Sequence, residues 1–432
     1  MTTSTALLTD RYELTMLEAA LEDGTAERRA SFEVYTRRLP GGRRYGLLAG
    51  TARVLDAVER FRFGDAELTW LGEAGIVSAR TLDYLASFRF GGDIRGYAEG
   101  EVFFPGSPVL AVDGSFAESV LLETVVLSIL NHDSAIATAA ARMVSAAGGR
   151  PLAEMGGRRT EEHAAVSAAR AAWIAGFGAT SNLEAGRVWG LPTMGTAAHA
   201  FTLLHDDEED AFRAQVATLG TGTTLLVDTY DIPTGVERAV RVAGTGLGGV
   251  RIDSGDLRVV VAQVRAQLDA LGATGTTITV TNDLDENAIA ALAASPVDSY
   301  GVGTQLVTGS GAPTMGMVYK LVAREDDAGR MVPVAKTSAN KVSVGGAKSA
   351  VRIYDAAGTA RGEELTVGPA AAGPRRRALQ VPLVTAGVAV PDHVGVPGTV
   401  RARERAAAAI AELPIQAFGL GAGDPVIPTA YV

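Results

Sequence analysis

Gly249-Val250-Arg251-Ile252-Asp253-Ser254-Gly255-Asp256-Leu257 decides how the middle of this chain is read. A short strand-like run, 249–252, stops in a polar cluster, and then Leu257, Val260, Val261, Val264, Leu268 and Leu271 recur at helical spacing. Strand alternation puts Arg251 and Asp253 on one side, Ser254 and Gly255 make the turn, and Asp256 caps the helix predicted over 256–271. A capping turn alone accounts for Asp256. It does not account for two opposite charges on a strand that should face a core.

Working outward, the same punctuation recurs at intervals of about twenty residues, as in parallel β/α folds. Strand-like segments at 151–157, 175–179 and 192–198 end at Arg158-Arg159, Thr180-Ser181-Asn182 and His199. Others at 224–227, 277–280 and 299–302 end at Asp228-Thr229-Tyr230-Asp231, Thr281-Asn282-Asp283 and Gly303-Thr304-Gln305. Helical patterns at 208–219 and 284–294 fall between them. Seven units predict an irregular, incompletely closed parallel β/α barrel over 119–341, with its chemistry at the C-terminal strand ends. The flanks, 1–118 and 342–432, mix short strands and helices and predict a second α+β domain built from both chain ends.

Composition narrows the function classes. Hydrophobic residues make up 47% and charged residues 20% of 432, enough for a large core. A net charge of −10 argues against nucleic-acid binding, which needs a basic face, yet leaves room for a local arginine pocket. Without cysteine there is no disulfide, thiolate nucleophile or cysteine-ligated zinc. Residues 1–8 lack a secretory signal pattern, and the most apolar helical stretch, 119–130, reads as too short to span a bilayer. A cytoplasmic protein without a membrane partner is expected. The only lysines are Lys320, Lys336, Lys341 and Lys348, either an arginine-biased composition or a segment that needs a compact ammonium.

Several motifs carry two readings. Gly244-Thr245-Gly246-Leu247-Gly248-Gly249 matches a dinucleotide fingerprint in letters, but it follows a helix and precedes a strand, so it is rejected. No Walker loop is present. Arg158-Arg159 suits bidentate binding of a carboxylate or phosphate, and equally a solvated surface pair. His199, among small residues at a strand end, suits a base, metal ligand or phosphoryl acceptor, or a structural histidine. Gly301 and Gly303 let backbone amides approach a phosphate.

In order and combination these segments resemble nicotinate phosphoribosyltransferases over nearly the whole chain. The carrying pieces are Thr9-Asp10-Arg11-Tyr12-Glu13-Leu14-Thr15-Met16, Glu123-Thr124 with Asn131, Gly156-Gly157-Arg158-Arg159, and Thr180-Ser181-Asn182 with Ala185-Gly186. Gly195-Thr196-Ala197-Ala198-His199, the 251–256 motif, Asn282-Asp283-Leu284-Asp285-Glu286 and Gly301-Val302-Gly303-Thr304 complete the set. The resemblance implies a type II phosphoribosyltransferase that joins nicotinate to phosphoribosyl pyrophosphate (PRPP), with ATP as co-substrate and Mg²⁺ carried mainly on PRPP and pyrophosphate. It implies His199 as a phosphohistidine, and Asp253 and Arg251 as catalytic groups. Arg158, Thr196, Ser254, Asn282, Gly301, Gly303 and Thr304 become substrate contacts. Tyr12 is implied to reach the pyridine ring from the partner subunit of a homodimer with shared active sites. Met155 stands where the family commonly has an aromatic residue. Competing readings are a nicotinamide or quinolinate phosphoribosyltransferase, a Mg²⁺-dependent sugar-phosphate lyase or isomerase on a barrel, and a catalytically silent binding protein.

Overall fold

The computed structural model describes residues 4–336, 344–370 and 373–432. Two compact units divide the chain, one made of Met1–Thr138 and Ala312–Val432, the other of Ala139–Gly311.

The 139–311 unit is built on six parallel strands. Their order is Ala179–Thr180, Leu152–Glu154, Ser299–Val302, Thr277–Thr281, Gly249–Ile252, Thr224–Leu226. Leu225, Val250, Ile252, Ile278, Val280 and Val302 are fully buried, as strands covered on both faces require. Between strands the chain returns through helices Glu208–Leu219, Ile232–Ala243, Leu257–Ala270 and Glu286–Ala291. Asp207, Asp231, Asp256 and Asp285 cap their first turns. No ladder joins the two outer strands among the described residues, so the sheet is a curled half-barrel.

The stretch 192–198 departs from expectation. Only Thr193 bridges to Thr180, and no strand forms. Pro192 lacks an N–H to donate, and Pro192, Thr193, Gly195 and Ala198 are exposed, so nothing drives the segment into the sheet. The Gly244–Gly249 run does follow a helix and enter a strand, which removes the dinucleotide reading.

In the other unit, a seven-stranded antiparallel sheet draws on both parts of the sequence. Arg29–Thr36 pairs with Met317–Glu325 on one side and Leu110–Ser115 on the other, and Asp93–Tyr97 pairs with Gln380–Thr385. A four-stranded sheet adds Arg376–Ala378, Lys348–Tyr354, Ala360–Val367 and Thr429–Tyr431. The unit boundaries at 138/139 and 311/312 contrast with the expected 118/119 and 341/342. Helix Glu123–Ala147 starts inside this unit's core with Val125, Val126 and Leu130, and Met317–Glu325 belongs to its sheet.

The apolar stretch expected to be short is longer: Phe116–Ala147 is long and apolar enough to cross a membrane, but 67% of its most apolar window is buried inside the protein. Its polar residues are engaged too, with Thr138 Oγ1 accepting from Leu47 N at 2.9 Å and Ser134 Oγ from Ala49 N at 3.2 Å. Among the lysines, Lys348 is buried against Glu33, Lys336 is exposed, and Lys341 lies outside the described residues.

Candidate active site

A single cleft in the parallel unit is lined by residues from four strand ends. Met155, Arg158 and Arg159 follow Leu152–Glu154, and Arg251 and Asp253 lie in and just after Gly249–Ile252. Thr281, Asn282 and Asp283 close Thr277–Thr281, while Gly301, Gly303 and Thr304 surround the end of Ser299–Val302.

Parallel alternation explains the charged pair. Arg251 is flanked by the buried Val250 and Ile252, which face the hydrophobic layer and leave its own side chain to the cleft. Its Nη1 donates to Thr196 Oγ1 at 2.7 Å and to the Ala197 carbonyl at 3.2 Å, whereas its buried Nε has no partner among the described residues. Burial holds the guanidinium below its usual range, with Asp253 and Asp228 acting the other way and nearby Arg158 adding to the depression. Such a group gains by meeting an anion.

Asp253 is held from two sides. Its amide donates to Asp228 Oδ2 at 2.7 Å, and its Oδ1 accepts from Thr281 Oγ1 at 2.6 Å. Asp228 also receives Ser254 Oγ at 2.8 Å, so Ser254 faces Asp228 rather than the cleft. Asp228 Oδ1 is buried without a partner among the described residues. Thr304 Oγ1 donates to Asp283 Oδ1 at 3.2 Å, and Asn282 sits at φ 148, a conformation L-residues rarely adopt.

Of the residues singled out in the sequence, Arg158, Arg251, Asp253, Asn282, Gly301, Gly303 and Thr304 meet in this cleft. Thr196 joins through Arg251. His199 opens the short helix His199–Leu203, two residues beyond the Arg251–Ala197 bond, but does not line the cleft. Its Nδ1 lies 3.1 Å from Thr229 Oγ1. Tyr12 belongs to the other unit, on helix Arg11–Asp23, and is 45% exposed. Burial and the neighbouring Glu123 and Glu13 carboxylates push its hydroxyl up to about 12.

Asp228, Thr229 and Thr281 went unassigned in the sequence, as did Glu154. The signal for the first three was their position directly after buried strands. Glu154 looked like an ordinary strand residue. Among the described residues, Glu161, Glu162 and His163 are the one trio spaced to hold a metal ion, and they are exposed and outside the cleft.

A parallel β/α half-barrel whose strand ends gather arginines, a carboxylate and glycine turns is an enzyme scaffold for anionic small molecules. The family model for the nicotinate phosphoribosyltransferase (NAPRTase) N-terminal domain matches residues 7–131. The chain is 60% identical over 438 residues to nicotinate phosphoribosyltransferase pncB1 of Mycobacterium tuberculosis (strain ATCC 25618 / H37Rv), covering 99% of this chain and 95% of the relative. It is 39% identical over 363 residues to the nicotinate phosphoribosyltransferase of Bacillus subtilis (strain 168), covering 82% and 74%. The crystal structure of human nicotinic acid phosphoribosyltransferase superposes with a TM-score of 0.83 at 25% identity, covering 98% of this chain and 97% of that one. The chain belongs to the nicotinate phosphoribosyltransferase family.

Proposed function

We propose that this protein joins nicotinate to PRPP, giving nicotinate mononucleotide and pyrophosphate, a step of NAD biosynthesis. The observation that carries this reading is the meeting of Arg158, Arg251, Asp253 and the Gly301–Thr304 turn on one cleft. Each answers a chemical need of the reaction.

The 5′-phosphate needs donors that approach closely. A Cβ at Gly301 would lie 2.5 Å from Thr281 Cγ2 and 2.7 Å from Met155 Sδ, so only glycine packs against these two side chains. Without a Cβ, the glycines of this turn do not keep a phosphate from its backbone amides. The pyridine nitrogen attacks C1 of the ribose as the C1–O bond to pyrophosphate breaks. Positive charge develops on the ribosyl ring, and Asp253, fixed by Thr281 and the Asp228 carboxylate, stabilises it. Arg158 and Arg251 bind the nicotinate carboxylate and PRPP. A neutral amide would leave a guanidinium undercompensated, which favours the acid.

Magnesium carried on PRPP would supply charge neutralisation for the pyrophosphate leaving group, with Asp253 and Asp283 as the carboxylates that would face it. Both border the cleft, oxygen donors that fit an ion arriving on phosphates. ATP enters through His199: the γ-phosphorus passes to the imidazole, its bond to ADP breaking, and the phosphohistidine couples ATP hydrolysis to product formation. With Nδ1 towards Thr229, Nε2 is the accepting nitrogen. Tyr12 of the partner subunit packs on the pyridine in a homodimer, and the unit formed from both chain ends serves as the second domain. A cytoplasmic location fits the lack of cysteine and the internal burial of the apolar helix.

The test is to mix purified protein with nicotinate, PRPP and Mg²⁺, with and without ATP, and follow both products chromatographically. Nicotinate mononucleotide formation stimulated by ATP is expected, with the stimulation lost in His199→Ala. Product only from nicotinamide or quinolinate would reassign the substrate, and no pyrophosphate from any pyridine would sink the reading.

A further inference from the structure

Glu154 is the last residue of its strand, 1% exposed, and no ion pair reaches it among the described residues. A buried carboxylate without a cation is costly to keep, so its partners matter. Oε1 accepts from the Gly156 amide at 2.5 Å and Oε2 from Thr180 Oγ1 at 2.5 Å. Thr180 Oγ1 in turn accepts from the Asn182 amide at 3.0 Å, and the Glu154 carbonyl accepts from Ser181 N at 2.8 Å. Burial pushes the Glu154 carboxyl above its usual range, and the bonds from Thr180 Oγ1 and the Gly156 amide oppose that.

Both bonded partners open turns at the C-terminal strand ends. Gly156 begins the loop that carries Arg158, and Arg159 N donates back to the Gly156 carbonyl at 2.8 Å, so the turn is tight. Met155 N donates to the Val302 carbonyl at 2.8 Å, and a Cβ on Gly156 would lie 2.2 Å from Val307 Cγ1. The loop therefore has little room to move at its root, and Glu154 is the side chain that ties that root to the neighbouring strand.

We propose that Glu154 is a positioning residue for the pyridine-acid end of the cleft: by gripping Gly156 and Thr180 together it fixes the direction from which Arg158 meets the nicotinate carboxylate. This rests on the phosphoribosyl-transfer reading, with Arg158 as the carboxylate partner. The anion is required because both partners donate to it. A glutamine would keep the bond from Gly156 N but would aim its NH2 at Thr180 Oγ1, which already accepts from Asn182, and leave the Thr180 hydroxyl hydrogen without its acceptor.

The test compares Glu154→Gln and Thr180→Val with the parent, using KM for nicotinate and for PRPP, kcat, and equilibrium dialysis of nicotinate alone. Each variant is expected to raise KM and Kd for nicotinate by about tenfold, the loss of one charge-assisted bond, with KM for PRPP unchanged. The double variant should be little worse than either single one, since both cut the same link. Glu154→Asp, shortened but still anionic, should fall between. Equal changes in both KM values, or an unchanged Kd in folded Glu154→Gln, would overturn the role. If the parent turns over nicotinate but the variants match it, only the Glu154 role fails. If the parent neither binds nicotinate nor forms product, the phosphoribosyl reading fails and takes this role with it.

Discussion

In the unit formed from both chain ends, buried carboxylates meet cations. Glu33 accepts from Lys348 Nζ at 2.7 Å, Glu363 from Arg352 at 2.5 Å, and Glu101 is met by Arg352, Arg377 and Arg405. In the parallel unit, Glu154 is as deeply buried and Asp228 is buried too, but they receive only hydroxyl and amide donors. An ion pair cancels its own field and ties distant segments together; Glu33 and Lys348 are 315 residues apart. A carboxylate held by neutral donors is not cancelled by a paired cation. The first arrangement locks a register, and the second leaves Asp228 beside Arg251, whose Nε has no partner among the described residues. The contrast separates charge used for assembly from charge kept available for a ligand.

The strongest way to break that contrast is Arg352→Met. Arg352 is 0% exposed and also donates to the Val102 carbonyl at 2.8 Å, so its loss strands Glu363, which has only Ser107 and Tyr97 left. A stability loss of about 3–5 kcal/mol is expected by chemical denaturation, because removing one partner leaves an uncompensated buried charge. KM for nicotinate in the remaining folded protein should not move. A midpoint equal to the parent's would mean that these pairs do not hold the sheet.

Arg251→Gln should show the opposite pattern. The side chain is half-buried and bonds only to Thr196 and Ala197, so the denaturation midpoint should shift little. Turnover should fall by roughly 10²–10³-fold, the usual effect of removing one preorganised transition-state donor. Full activity in the variant would remove Arg251 from the site, and a large midpoint shift would make it an assembly charge like Arg352.

Much of this distinction is legible in the sequence, and the reason is local. Strands 249–252 and 299–302 were bounded correctly because a capping residue or a glycine turn follows a short apolar run. Arg251 and Asp253 were legible because alternation alone puts them on one side. The segment 192–198 misled because small and apolar letters resemble a strand until Pro192 and the absence of burial are known. The apolar letters of 119–130 give way to the polar run Asn131, His132, Asp133 and Ser134, yet the helix continues to Ala147. Asp133 and Ser134 are instead fully buried, with Asp133 paired to Arg53. Glu154 is not legible and Asp228 is legible only by its place at a strand end, since their roles depend on donors arriving from elsewhere: Thr180 lies 26 residues from Glu154, and the Asp253 amide 25 from Asp228.

The finest test lies within the cleft itself. Thr281 is 7% exposed, and its hydroxyl donates to Asp253 Oδ1 at 2.6 Å, while its Cγ2 lies against the Gly301 backbone. Thr281→Val keeps the methyl and the volume but removes the donor, so packing around Gly301 should survive. Asp253 keeps its backbone tether to Asp228, and its carboxylate loses only the bond that fixes its rotation. One hydrogen bond to a charged group is worth roughly 1.5–3 kcal/mol, and part of that returns when water replaces the hydroxyl. The expected result is a kcat lower by about tenfold at unchanged KM for nicotinate, because Asp253 acts on the ribosyl charge that exists only in the transition state. A rise in KM with kcat intact would mean instead that Asp253 binds the ground-state ribose, and the carboxylates of this sheet would then be available for substrate rather than for the transition state.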